Sequence, residues 1–148
     1  MVRRLLGTQV ILIGPTTNTT CGTINSVNSN GTSVADQTYT VNCPGTAEST
    51  QAVLLYDNEI EGTTDLEAEE LVMNIAEVRV YKDGDTMVTI KEVTCRSYST
   101  QNTENDQSRA LDGNPFTFYY SSQDHLPEWL KLPLQEASNV AKVVINNR

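Results

Sequence analysis

The sequence predicts an all-β fold, an antiparallel β-sandwich of the jelly-roll kind, on three observations. Short apolar runs alternate with polar residues in the period-two pattern of half-buried strands. Gly, Pro, Asn and Asp punctuate those runs roughly every ten residues. Helical periodicity is almost absent. At 148 residues with 38% hydrophobic content, the chain can bury one core and reads as a single domain over 1–148.

Val10, Ile11, Leu12 and Ile13, stopped by Pro15, read as the first strand. The basic start and apolar run of MVRRLLGTQVILIGP imitate a signal peptide. No small-residue cleavage site follows, so no targeting segment is assigned there. Next, Cys21-Gly22-Thr23-Ile24 leads into Ser29-Asn30-Gly31, a hairpin turn because Asn-Gly tolerates positive φ at both central positions. The return strand is 37–43, where Tyr39 and Val41 alternate with polar residues. Cys21 and Cys43 bracket this hairpin and are expected to form a disulfide that staples it, leaving Cys95 buried and unpaired. Residues 52–56 form a further strand, and 66–74 a turn of helix or an irregular crossing. Residues 75–81 alternate cleanly as a strand, Lys82-Asp83-Gly84-Asp85 is a polar turn, and 87–93 is the next strand. A polar loop over 98–108 precedes the compact turn Asp112-Gly113-Asn114-Pro115. The strands 129–132, with Trp129 in the core, and 140–145 complete the fold.

A net charge of −9 argues against nucleic acid or an anionic membrane as partner. The acidic excess is local. Asp57, Glu59, Glu61, Asp65, Glu67, Glu69, Glu70 and Glu77 crowd one stretch, which reads as a solvated loop or short helix face, with Glu77 alone given a sharper role below. Asn18-Thr19-Thr20 and Asn30-Gly31-Thr32 are N-glycosylation sequons. With the cysteine pair they favour an oxidising, extracellular setting, so the protein is expected to be secreted. Catalysis is not expected. There is one His, no Cys–His or Ser–His arrangement, no Gly-rich phosphate loop and no His-rich metal cluster. His125 beside Asp124 makes no base pair, since neighbouring strand residues point to opposite faces.

The remaining chemistry is concentrated late in the chain: RALDGN (109–114), FTFYYSSQDH (116–125), LPEWLKL (126–132) and VAKVVINNR (140–148). In order and wording this stretch resembles the sugar-binding face of the F-type lectins (fucolectins), fucose-binding β-sandwiches of the discoidin-like, galactose-binding type. The halves stand in reverse order. Residues 1–81 resemble the family's C-terminal half and 82–148 its N-terminal half, as in a circular permutation or a unit cut from tandem repeats. The seam at 82–85 falls where the family's own termini would lie. Sandwich termini are often neighbours, which makes such an arrangement physically allowed.

The resemblance implies a sugar site. The family's motif is a His, a spacer, Arg-x-Asp and then a second basic residue. His125 and Arg148, separated by 22 residues, match the first two basic positions. Arg4, in Arg4-Leu5-Leu6-Gly7, matches the last, with Arg3 as the fallback. The motif's Asp has no counterpart here. Two guanidiniums supply forked donors for a ring oxygen and an axial hydroxyl, and Phe118 and Tyr119 are placed to wall the methyl group of fucose. The resemblance also implies a structural Ca²⁺ held by Asp112, Glu77 and Ser122 with backbone carbonyls near Arg109, Asn114 and Ala76. Two carboxylates among carbonyl-rich loops suit a hard cation. A disulfide that many members carry beside this site is replaced by Ala76 and Gln123. The expected partners are fucosylated glycans or glycoproteins, met with avidity from tandem repeats or a homo-oligomer, and no membrane insertion is expected. The alternative is a discoidin-type extracellular adhesion or structural module without a working sugar pocket. Apolar spikes on the loops would favour it, and the sequence shows none.

Overall fold

A computed structural model describes residues 5, 7–24, 38–43, 49–57, 73–96, 106–121 and 127–147. They form ten strands: β1 (Gln9–Ile13), β2 (Asn18–Thr23), β3 (Thr38–Asn42), β4 (Thr50–Asp57), β5 (Asn74–Lys82), β6 (Thr86–Met87), β7 (Thr94–Cys95), β8 (Tyr119–Tyr120), β9 (Glu128–Ser138) and β10 (Val140–Asn147). Two 3-10 turns, Asp83–Asp85 and Gln107–Leu111, are the only helical elements among the described residues. One sheet runs β2-β1-β4-β9-β7. The other runs β3-β10-β5-β6, with β8 also on β5. The strand pairs are antiparallel. This is the expected all-β sandwich.

Alternation explains the layers. Val10 and Leu12 of β1, Val53 and Leu55 of β4, Leu130, Leu132 and Leu134 of β9, Val78 and Val80 of β5, and Val143 and Ile145 of β10 are buried. Each set recurs every second residue, so each sheet turns one face to a shared core. Leu5 also reaches this core ahead of β1. Trp129 differs from expectation. It alternates with buried Glu128 and Leu130, so it stands half-exposed on the outer face beside Lys131 and Pro133.

Strands from both halves of the sequence interleave. In the first sheet β4 pairs with β9 from Thr50↔Ser138 to Asp57↔Glu128. In the second, β10 lies between β3 and β5. At the seam, β5 and β6 close a hairpin through Tyr81↔Met87 and Lys82↔Thr86.

Two expectations about elements change. The strand expected over 87–93 is not continuous. Thr86–Met87 belongs to one sheet, while Ile90 bridges Leu134 and β7 pairs with β9 in the other. Pro133 explains the break. Its carbonyl accepts from Lys91 N at 2.8 Å, but proline has no N–H to return, so the ladder is interrupted there. The loop expected over 98–108 ends in the 3-10 turn Gln107–Leu111. Asp106 caps that turn by accepting from Ser108 N at 2.8 Å. The Asn30-Gly31 turn lies outside the described residues.

The Cys21–Cys43 disulfide is present. It does not staple a hairpin. Cys21 lies in edge strand β2 of one sheet, and Cys43 directly follows edge strand β3 of the other. The bond therefore ties the two sheets together along one side. Gly22 permits the close approach, since a Cβ there would meet Val41 Cγ1 at 3.3 Å. Cys95 is free and half-buried.

Replacing both Cys21 and Cys43 with Ser should lower the unfolding free energy by about 3 kcal/mol, from the entropy of the closed loop. Urea denaturation monitored by Trp129 fluorescence checks this. An unchanged midpoint would mean that the bond adds no constraint on the unfolded chain.

Candidate functional site

One pole of the sandwich gathers the chemistry. β1 and β9 start there, at Gln9 and Glu128, and β4 ends there at Asp57, because Gln9↔Tyr56↔Trp129 form one cross-strand row. In the other sheet β5 starts and β10 ends there, with Ile75↔Asn147. Tyr119 joins the two sheets. Its backbone pairs with Ile75, while its phenol hydrogen-bonds the Cys95 thiol of β7 and faces Glu128. The Cys95 Sγ in turn lies 3.7 Å from Gln107 Oε1. Next to Tyr119, Ser121 N donates to the Met73 carbonyl at 2.9 Å and Ser121 Oγ accepts from Met73 N at 2.8 Å. These bonds fix the segment 106–121 against the start of β5.

Burial dominates this network. It pushes the Tyr119 phenol far above its ordinary pKa, helped by the neighbouring Cys95 and Glu128. It also raises the Cys95 thiol, against the Tyr119 hydrogen bond and together with the Glu128 and Asp106 charges. Burial favours the protonated form of both groups, and the cluster clasps the two sheets.

Five residues of the expected cation set fall within the described segments: Asp112, Glu77, Asn114, Arg109 and Ala76. Glu77 belongs to β5 and Asp112 to the turn after the 3-10 segment, and they meet at Gly113. Glu77 Oε2 accepts from Gly113 N at 3.0 Å. Asp112 Oδ1 accepts from Asn114 N at 2.9 Å, and its Oδ2 accepts from the Thr117 hydroxyl at 2.6 Å. The Arg109 guanidinium lies 3.5 Å from the same Oδ2. Gly113 has φ +71°, a conformation that costs a side-chain-bearing residue energy. Ala76 is buried in β5. Ser122 lies outside the described residues.

The two carboxylates titrate in opposite directions. Burial raises Glu77 above its ordinary value of 4.5; the Gly113 N–H opposes this, the Asp112 charge adds to it, and Arg79 opposes it. Burial would raise Asp112 too, but Thr117, the Asn114 N–H and Arg109 together bring it below 3.8. The donors at this turn are hard oxygens, the kind that calcium takes. Among the described residues, no group of three or more His, Cys, Asp or Glu gathers as a metal cluster. Thr117 escaped the sequence reading. Its hydroxyl also lies 3.1 Å from the Asn114 carbonyl, and a Thr five residues beyond an Asp carries no distinctive signal.

Of the expected sugar contacts, His125, Arg148 and Arg4 lie outside the described residues. Their nearest described neighbours, Pro127, Asn147 and Leu5, all lie at this pole. Phe118 is half-buried and packs edge-on to Tyr120 with ring centroids 6.4 Å apart. Tyr119 is fully buried and offers no surface to a ligand, because its side chain fills the space between the sheets. Any apolar wall from this pair falls to Phe118. Phe116, at the tip of the turn, is 82% exposed, so the loops do carry an apolar spike. Asp57 also departs from expectation: the first carboxylate of the acidic run is buried opposite Glu128, itself buried. Beside the turn, a groove of 360 Å³ runs along β5 between Arg79, Asn146, Met87, Leu111 and Pro115. Arg79 crosses its floor to Asn146 Oδ1 at 3.4 Å.

No protein-family model, curated protein or solved structure gives a significant match to this chain.

Glu77 supplies a test of the turn. A raised carboxyl pKa stabilises the fold below pH 4.5, and that contribution is lost as the pH rises through the folded value. In a chelator at pH 7, Glu77→Gln should therefore be at least as stable as the parent. The difference should close as the pH falls below 4.5. Asp112→Ala should instead cost about 1 kcal/mol at pH 7 through its lost hydrogen bonds. Urea midpoints across pH 3.5–7 read both, and a Glu77→Gln variant weaker than its parent at pH 7 would overturn the assignment.

Proposed function

We propose that the protein is a secreted, Ca²⁺-supported lectin that binds terminal L-fucose on glycoconjugates. His125, Arg148 and Arg4 donate the polar contacts, and Phe118 offers the apolar wall. One observation carries this reading. Pro127, Asn147 and Leu5, the described neighbours of those three residues, share a pole with the Asp112 turn, although they are widely separated in sequence. The disulfide supports an oxidising compartment. Among the described residues, no helix is long and apolar enough to cross a membrane.

Two guanidiniums keep their charge at neutral pH and present forked N–H groups to the ring oxygen and hydroxyls. The imidazole adds a third polar contact, and the methyl group lies against the aromatic ring. Glu77 and Asp112 would hold the cation, with main-chain carbonyls of the turn beside them. The cation supplies positive charge that relieves the repulsion between these two carboxylates. Hydrogen bonds from Gly113, Asn114 and Thr117 orient the two carboxylates. A single open site for a neutral sugar binds weakly, so useful avidity comes from several copies.

Phe116 favours a second reading. An aromatic side chain 82% exposed on a loop tip suits a discoidin-type adhesion module that docks apolar surface.

Calorimetric titration of L-fucose, in Ca²⁺ and in chelator, tests the first reading. Saturable heat is expected in Ca²⁺, at least tenfold weaker binding in chelator, and none for His125→Ala. A folded parent that gives no heat would reject the fucose site. Sedimentation with phosphatidylcholine vesicles, lost in Phe116→Ala, would then support the adhesion module.

A further inference from the structure

We propose that Asn18 is an N-glycan acceptor and that its glycan roofs the outer face of the β2 edge. Asn18-Thr19-Thr20 is a sequon, and the fold presents it favourably. The preceding turn closes through Gly14 N donating to the Thr17 carbonyl at 2.9 Å. Asn18 then opens β2, the edge strand of its sheet. Asn18 and Thr20 are exposed, while Thr19 between them is half-buried. Thr19 lies opposite buried Leu12, and Cys21 turns towards β3 of the other sheet to form the disulfide. Both sequon side chains therefore project outward, where a bulky saccharide meets solvent and not core.

The register adds what the motif alone does not contain. Asn18 lies directly opposite Ile13, and Thr20 opposite Ile11. Both isoleucines are half-exposed on the outer face of the sheet, with Leu54 next to Ile11 in β4. A saccharide rooted at Asn18 would spread over this aliphatic stripe and crowd the free edge of β2. Edge strands template pairing with other chains unless something blocks them. The acceptor also stands beside the far end of β1 from Gln9, about 13 Å along the strand. The glycan would leave the pole described above open.

In the modification, the Asn18 side-chain amide nitrogen attacks the anomeric carbon of a lipid-pyrophosphate-linked oligosaccharide. An N–C glycosidic bond forms, the anomeric C–O bond to pyrophosphate breaks, and the lipid pyrophosphate leaves. The amide gives up one proton, and nothing is oxidised or reduced. The hydroxyl of Thr20 is the sequon's recognition element.

The test is secretion of the full chain from a mammalian host, followed by site-resolved glycopeptide mass spectrometry. Asn18 is expected to carry a glycan in most molecules, whatever the occupancy of Asn30. Thr20→Ala should abolish it at Asn18 alone, and Thr20→Ser should retain it in part. An unmodified Asn18 in secreted, disulfide-bonded protein would overturn the assignment. For the roof, Thr20→Ala should bind an apolar dye several-fold more strongly than the glycosylated parent. Equal dye binding and equal self-association would refute that half.

Discussion

The pole depends on the burial of Tyr119. One residue supplies a backbone pair to Ile75 of one sheet and a phenol to Cys95 and Glu128 of the other. A buried hydroxyl is tolerable only when bonded, and here the Cys95 thiol bonds it, with Gln107 of the 3-10 turn within reach of that thiol. The clasp therefore does three things together. It closes the sandwich at one end, anchors the segment 106–121, and fixes how far the Asp112 turn stands from Glu77.

That anchoring decides the electrostatics of the turn. Glu77 is carried by β5, whose backbone pairs with β10 at Asn146, so its main chain is fixed beside the Asp112 turn. The structure answers with donors: Gly113 N–H on one carboxylate, and Thr117, Asn114 N–H and Arg109 on the other. The donors outweigh burial at Asp112 and not at Glu77, which separates their pKa directions. Deeper in, Asp57 and Glu128 are a buried, directly opposed pair. Carboxylates at such a depth hold their place through specific interactions, not through water. Natural sequences concentrate such costs where a site is built and leave the remaining core apolar. Here every buried member of β9 beyond Glu128 is a leucine.

The all-β class and most strands were legible because period-two alternation is a local property. The cysteine partners were legible too, but what they joined was not. A hairpin around Asn-Gly is a local inference, whereas the assignment of β2 and β3 to different sheets depends on β4 and β10, which claim their other neighbours. The broken strand at 87–93 has the same origin. Its own residues alternate well enough, and only Pro133, some forty residues away, denies it a ladder. At the site, Asp112 and Glu77 could be singled out as carboxylates in carbonyl-rich surroundings. Thr117 and the burial of Tyr119 could not, because FTFYY alternates in either register, and only pairing with Ile75 decides which ring faces inward.

The interleaving of the two halves bears on how such a pole is built at all. Residues 1–81 supply β1 to β5 and 82–148 supply β6 to β10, and each sheet mixes both. Neither half owns a face of the core. The central pairs, β4 with β9 and β5 with β10, join residues from 58 (Lys82↔Val140) to 88 (Thr50↔Ser138) positions apart in sequence, so local hairpins cannot set the register. Long-range pairing of this sort forms slowly, and register rests on the buried alternation of both partners. The chain joins β5 to β6 at the opposite end, through the tight turn at 83–85, and among the described residues the candidate pole is held by cross-strand pairing and by the Tyr119 clasp. Leu5 buried in the core, Asn147 opposite Ile75, and Glu128 opposite Asp57 are three independent anchors around one opening. A ligand site assembled there takes its geometry from sheet register and from the Tyr119 clasp together, since the Asp112 turn reaches Glu77 only because segment 106–121 is anchored against the start of β5.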